Sequence, residues 1–302
     1  MRRPDASALL VFVLVVLVGG SNFVAVRFSN RELAPFWGGA VRIGAASLLF
    51  FAITVARAGT GLRGLALWPT ARYGVVNFGL SYALAYFGLV AAPAALGSTF
   101  VALTPLLTFL LALVLGMERF RWAGLLGAAV AVAGILVVFA DQLGATVPLP
   151  SLAALALLPV AISVAQIQAK RIPRSDPFAT NGIAAVPGTA LLLGLAVASG
   201  ERIALPAQTA TWIALGFLVA STVVLFAGIL YILQRWTASA AAYATVLNPI
   251  VTVALGAVLA GELVTARFVL GAFLVMAGTY LGALLQPRAW SFVATAEQGR
   301  RE

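Results

Sequence analysis

Apolar stretches long enough to cross a bilayer recur ten times along the 302 residues, near 7–26, 35–56, 70–90, 94–116, 121–140, 150–169, 177–198, 209–231, 238–260 and 264–285. A span needs about 20 such residues to cross a hydrocarbon core about 30 Å thick. Lipid offers the backbone no hydrogen-bond partner, so segments of this length are helical. Only 9% of the residues are charged, against about 25% in a soluble domain, and the short connections leave no room for a water-facing unit. The expected fold is an all-α integral membrane protein with ten transmembrane helices. Arg2 and Arg3 ahead of the first apolar run imitate a secretory signal, but no cleavage site follows, so that run is read as an uncleaved first helix.

The net charge of +10 is spread singly or in pairs between the spans, which argues against nucleic acid as a partner and for topology signals. With the N-terminus in the cytoplasm, fourteen of the 19 basic residues fall on that side, four (Arg27, Arg31, Arg202 and Arg267) on the other, and Arg42 lies within a span. The positive-inside rule then places both termini in the cytoplasm. Arg outnumbers Lys eighteen to one, a composition that points to a GC-rich bacterial source and its cytoplasmic (inner) membrane. Cysteine and histidine are absent. That removes thiol nucleophiles, imidazole bases and most transition-metal sites, so neither a cofactor, a metal nor an enzyme activity is expected.

Shifting the chain along itself by 144 positions, without gaps, places Trp68 on Trp212, Pro105 on Pro249, Glu118 on Glu262 and Arg27 on Arg171. The same shift pairs Glu32 with Asp176, Asn22 with Gln166, Tyr82 with Phe226, Thr108 with Thr252, Gly127 with Gly271 and Gly134 with Gly278. The chain therefore reads as two halves, 1–145 and 146–302. Five helices per half is an odd number, so the second copy enters the membrane from the opposite side. Inverted repeats of this kind place a substrate site near the midplane between the halves and support alternating access.

The segment from Ser98 to Phe120, STFVALTPLLTFLLALVLGMERF, and its partner from Ala242 to Val264, AYATVLNPIVTVALGAVLAGELV, resemble the EamA family of the drug/metabolite transporter superfamily. GGSNFVAVRF at 19–28 and Arg42 in the second helix extend the resemblance across residues 6–285. It implies export of amino acids, purines or other metabolites. It also implies a fold in which the first four helices of each repeat surround a central cavity, with the fifth outside.

Several residues are candidates for the pathway. Pro105 and Pro249 fall in mid-span, where proline removes a helical hydrogen bond and forces a kink, with Thr104 and Asn248 beside them. Asn22 and Gln166 are paired amides that lipid disfavours, placed toward the outer and inner ends of one route. Phe78, Tyr82 and Tyr86, four apart, form an aromatic stripe on one helical face, and Phe226 is the repeat partner of Tyr82. Ser98 and Asn181 complete the substrate-binding candidates. Each of these has a packing alternative: kinks satisfied by neighbours, interhelical hydrogen bonds, or an ordinary aromatic core.

Arg42, whose repeat partner is Val186, has three open roles: holding a substrate carboxylate, locking onto Glu32 or backbone carbonyls, or snorkelling to the interface. Glu118 and Glu262 end their helices on opposite faces and are expected to gate or brace loops through Arg119, Arg121 or Arg267. The glycines of the fifth and tenth helices permit close packing within a monomer, with a homodimer as the alternative.

All nine carboxylates lie outside the span centres, so no buried proton relay is available. The function expected is facilitated diffusion, exchange or export of a small metabolite, first of all an amino acid. A purine, nucleoside or drug-like amphiphile is the alternative cargo, and a membrane sensor or scaffold the remote one. The partners are a small-molecule substrate and the lipid bilayer.

Overall fold

The structure, a computed structural model, describes residues 6–57, 66–117, 120, 122–143, 147–173, 175–233 and 238–284. All regular structure in them is helical, in ten successive helical elements. These are α1 (Ala6–Ser29), α2 (Pro35–Ala56), α3 (Leu67–Ala91), α4 (Ala94–Val114), α5 (Trp122–Leu143), α6 (Leu149–Lys170), α7 (Pro177–Ala198), α8 (Thr209–Leu233), α9 (Ala238–Ala260) and α10 (Ala266–Leu284). Seven, namely α1 to α4 and α6 to α8, are long and apolar enough over their described lengths to cross a membrane, and α5, α9 and α10 are apolar over shorter stretches. Leu10, Leu48, Leu126, Val258 and Phe273 stand exposed on the outside, an apolar exterior of the kind that suits lipid.

Two elements depart from a plain helix. α3 carries a π-helical turn at Val75–Leu80, in which the Ser81 hydroxyl donates to Val76 O at 3.0 Å. α4 is interrupted: Ala94–Val101 ends, Ala102 and Leu103 form a turn, and Thr104–Val114 restarts with Pro105 in its first turn. There the missing N–H of proline costs nothing, because first-turn donors have no intrahelical partner. Pro249, its repeat counterpart, lies inside an unbroken α9. The expected pair of kinks is therefore one break and one continuous helix.

Helices of one half pack mainly on helices of the other. α1 contacts α8 and α9, and α6 contacts α3 and α4; α2 pairs with α7, and α5 with α10. This set of neighbours maps onto itself when each helix number is shifted by five. The α5–α10 seam is a backbone-to-backbone approach made possible by glycines. A Cβ on Gly127 would sit 2.3 Å from Gly282 N, and one on Gly278 would sit 2.4 Å from Ala131 N. These glycines are used within one chain.

Gly278→Ala should therefore force the seam apart and lower stability by about 1–3 kcal/mol, the usual range for overpacking. Gly194→Ala, where an added Cβ meets nothing within 4 Å, should leave the melting temperature in detergent unchanged. Equal effects of the two substitutions would remove the seam from the account.

Candidate functional site

One stripe from each of several helices converges on a central cavity of about 290 Å³. α1 contributes Val15, Gly19, Asn22, Phe23 and Val26, α3 contributes Asn77, Ser81, Tyr82, Ala85, Tyr86 and Leu89, and α6 contributes Leu158, Ile162 and Gln166. Spacings of three and four keep such residues on one helical face. Arg42 enters from α2, Val101 and Thr104 flank the break in α4, Leu225, Phe226 and Ile229 come from α8, and Ala244, Thr245 and Asn248 from α9. None of the lining residues belongs to α5 or α10, which pack on each other.

The wall is apolar with a few placed polar groups, the usual chemistry of a small-ligand site. Thr104 and Asn248 each bring a buried side-chain oxygen that has no hydrogen-bond partner in the protein, and the buried Tyr86 hydroxyl, within reach of Arg42, has no acceptor for its own proton. α9 can bring Asn248 this close to α1 because Gly19 has no Cβ, which would lie 2.8 Å from Asn248 Oδ1. The Thr252 hydroxyl donates to Gly20 O at 2.8 Å and fixes the same contact.

Asn22 is occupied on both sides. Its Oδ1 accepts from Arg42 Nη2 at 2.5 Å and from the Ser221 hydroxyl at 3.0 Å, and its Nδ2 donates to Val18 O at 2.7 Å. Gln166 is exposed and accepts from the Thr108 hydroxyl at 3.0 Å. Phe78 is fully buried behind the wall, 6.1 Å from the Tyr82 ring and 5.6 Å from the Phe226 ring. Ser98 also stands outside the cavity lining, donating to Ala95 O at 2.9 Å. Asn181 does too, donating to Pro177 O at 2.8 Å and accepting from the Tyr73 hydroxyl at 3.4 Å. Glu118, with Arg119 and Arg121, lies outside the described residues.

The two ends of the cavity differ. Gln166 and Ile229, nearer the C-termini of α6 and α8, are exposed, whereas Val26, Leu89 and Val101 toward the other end are buried. Beyond them, carboxylates of one half bind helix starts of the other. Neither Ala34 nor Pro93, the residues before α2 and α4, can cap its helix with a side chain. Glu201 supplies α2 instead, accepting from Phe36 N at 3.1 Å and Trp37 N at 2.8 Å. Glu262 supplies α4, accepting from Ala94 N at 2.7 Å and Ala95 N at 3.3 Å, and also pairs with Arg27 at 2.5 Å. The expected partner, a neighbouring loop arginine, is replaced by Arg27 of the opposite half. In the reverse direction Glu32 accepts from Ala207 N and Gln208 N ahead of α8.

Local backbone geometry aims two of these groups. Gly200 and Gly261 take φ of 65° and 64° after α7 and α9, the left-handed helix ending that glycine adopts without strain. The chain then turns back, so that Glu201 N bonds Ala196 O at 2.9 Å and Glu262 N bonds Gly256 O at 3.0 Å. The Glu32 carboxyl is held below the ordinary carboxylate range by the Thr211 hydroxyl and the Ala207 and Gln208 N–H groups. Since its folded value is depressed, its contribution is present above the ordinary range of about 4 and is lost only as pH falls through the lower folded value.

Glu201, Ser221, Thr222 and Phe23 escaped the sequence reading. The two Gly-Glu pairs at 200–201 and 261–262 were an available signal. Thr222 was hidden because the repeat pairs it with the unlike Phe78.

An apolar helical bundle around an internal cavity with a few placed polar groups is the build of a membrane protein that handles small solutes. The sequence profile of the EamA-like transporter family matches the chain twice, over residues 6–140 and 150–283. An uncharacterized transporter of Archaeoglobus fulgidus is 23% identical over 288 residues, covering 90% of this chain and 97% of that protein. A solved crystal structure at 22% identity has a TM-score of 0.67 and covers 93% of this chain and 98% of that one, a likeness of fold. The chain belongs to the EamA-like transporter family and is a multi-span membrane transporter of small solutes.

Wall and support should separate on substitution. Tyr82→Ala should cut solute flux at least tenfold with little change in melting temperature. Phe78→Ala, which empties a fully buried site, should destabilise by about 3–5 kcal/mol. Unchanged flux in Tyr82→Ala would take that ring out of the pathway.

Proposed function

We propose that this protein moves an amino acid, or a closely similar small amphiphile, across a bacterial cytoplasmic membrane by alternating access. The observation that carries the reading is the pairing, in one cavity, of aromatic wall residues Phe23, Tyr82 and Phe226 with hydrogen-bonding capacity on Tyr86, Thr104 and Asn248 that the protein leaves unused. An apolar side chain fits the first group. An ammonium and a carboxylate need the hydrogen-bonding groups that the second offers.

Two inverted five-helix repeats, 1–145 and 146–302, account for the helix neighbours that recur under a shift of five and for the double family match. In this arrangement both termini are cytoplasmic, and the cavity opens inward past Gln166 and Ile229. Glu32, Glu201 and Glu262 hold the outer end shut. Opening outward requires these inter-half bonds to break, while the interrupted α4 supplies a place for its two segments to move independently. Among the described residues no acid lines the cavity and the sequence has no histidine, which supports substrate flux uncoupled from protons, so that the protein exchanges or facilitates rather than accumulates.

The absence of cysteine makes the opening directly measurable. In Gln166→Cys a membrane-impermeant maleimide should label from the cytoplasmic face only. In Val26→Cys, labelling from the outer face should rise severalfold when Glu201 and Glu262 are both changed to Gln. Outer-face labelling of Gln166→Cys would reverse the topology. In proteoliposomes, counterflow of amino acids should proceed without response to an imposed pH gradient, and proton-driven accumulation would refute the uncoupled mechanism.

A further inference from the structure

Among the described residues Arg42 is the one charged residue in the cavity lining, and it is only 4% exposed. A cation so placed is costly unless an anion compensates it. Its protein partners are neutral: Asn22 Oδ1 at 2.5 Å, Thr222 Oγ1 at 3.2 Å and the Tyr82 ring, whose centroid lies 5.0 Å from the guanidinium carbon. They orient the group without cancelling its charge. The acid nearest in sequence, Glu32, is engaged with Ala207, Gln208 and Thr211, and burial excludes snorkelling. The Tyr86 hydroxyl is fully buried within reach of the Arg42 guanidinium, which can only donate to it, and its own proton has no acceptor in the protein.

We propose that Arg42 and the Tyr86 hydroxyl form the subsite for a substrate carboxylate. The planar guanidinium fork matches a carboxylate with two parallel N–H bonds, and an O–H donor beside it suits the remaining lone pairs. One positive charge matches a monoanion; a phosphate dianion would need a second cation, which the lining lacks. Asn22 acts as a positioning residue, since its oxygen holds Arg42 and is itself fixed by Ser221. Arg42 stands about two turns from the sealed end of α2, so the carboxylate points toward that end. The rest of the substrate lies along Tyr82 and Phe226 toward the mouth, where Thr104 and Asn248 can accept from an amine.

This assignment rests on the transport reading, and one experiment separates the two. Purified protein in liposomes is tested by counterflow with L-phenylalanine, L-valine, 3-phenylpropionate, L-phenylalaninamide, phenethylamine and adenine, with chloride as competitor. The carboxylates should be taken up at least tenfold better than the amide and the amine, and chloride should not compete. Arg42→Lys should raise KM at least tenfold with a smaller change in kcat. Arg42→Gln should bring the acid-to-amide ratio near one, and Tyr86→Phe should lower it by an intermediate factor.

Removing an uncompensated buried charge in Arg42→Met should leave the melting temperature of the ligand-free protein unchanged or higher, and the substrate's own thermal stabilisation should vanish. A lower melting temperature with an unaltered acid-to-amide ratio would make Arg42 structural and overturn the subsite. Preferred uptake of adenine, amide or amine, or equal competition by chloride, would also overturn it while leaving transport intact. If nothing is taken up by the unaltered protein, the transport reading itself fails.

Discussion

Backbone groups at helix ends are the difficulty that a ten-helix membrane protein must solve, because the first-turn N–H groups have no intrahelical acceptor. This chain solves it in two ways. α7 and α10 are capped locally, by Asp176 to Ala179 N and by Thr265 to Phe268 N. α2 and α4 are capped from across the molecule, by Glu201 and Glu262, and the segment entering α8 is bound by Glu32. A local cap stabilises one helix. A cap supplied by the other half joins two bodies, and whether the halves meet at that end then depends on the same bonds that satisfy the backbone. The favourable field of a helix N-terminus for a carboxylate adds to each contact.

In the proposed mechanism those joints determine where the cavity can open. The apolar seal of Val26 and Leu89 lies beneath them, and the exposed lining residues lie at the opposite end. Glycine governs how tightly the rest can close. A Cβ on Gly74 would meet Ala184 O at 1.9 Å, so α3 and α7 touch backbone to backbone just where the π-turn of α3 begins. The extra residue of that turn rotates the remainder of α3, leaving Phe78 as support while Tyr82 and Tyr86 face the cavity. π-turns commonly occur at functional positions, and here the turn sorts one aromatic stripe into wall and backing.

Much of this was legible in the sequence, for definite reasons. Helix number and limits follow from apolar length, since membrane thickness leaves little freedom. Asn22, Tyr82, Tyr86, Gln166, Phe226, Asn248 and Arg42, which line the cavity, stood out in the sequence because a polar or aromatic side chain within a span needs a reason to be there. The illegible part depends on which helix lies opposite which. Glu262 was assigned a nearby arginine because sequence proximity was the only guide, whereas its partner Arg27 is 235 residues away. Phe78, Ser98 and Asn181 satisfy the same residue-type rules as the lining residues, and only the rotation of α3, α4 and α7 places them outside it. The two prolines looked equivalent, yet one opens a helix segment and the other sits within one.

The departures from internal symmetry carry chemical information. A scaffold made of two similar halves would by itself offer a ligand two similar orientations. Arg42 removes that degeneracy: its counterpart, Val186, is apolar and 53% exposed, so positive charge enters the cavity from α2 alone. Asn22 and Gln166 diverge in the same sense, one tied into the arginine's support and the other exposed near the mouth. On the proposed inverted-repeat reading, symmetry supplies two ways of closing around one cavity, while the proposed carboxylate subsite at the unpaired arginine sets which way a charged solute lies within it. A single buried cation also makes occupancy electrostatically consequential. In the proposed subsite a bound carboxylate compensates that charge, and binding would lower the cost of closing water out around the ligand.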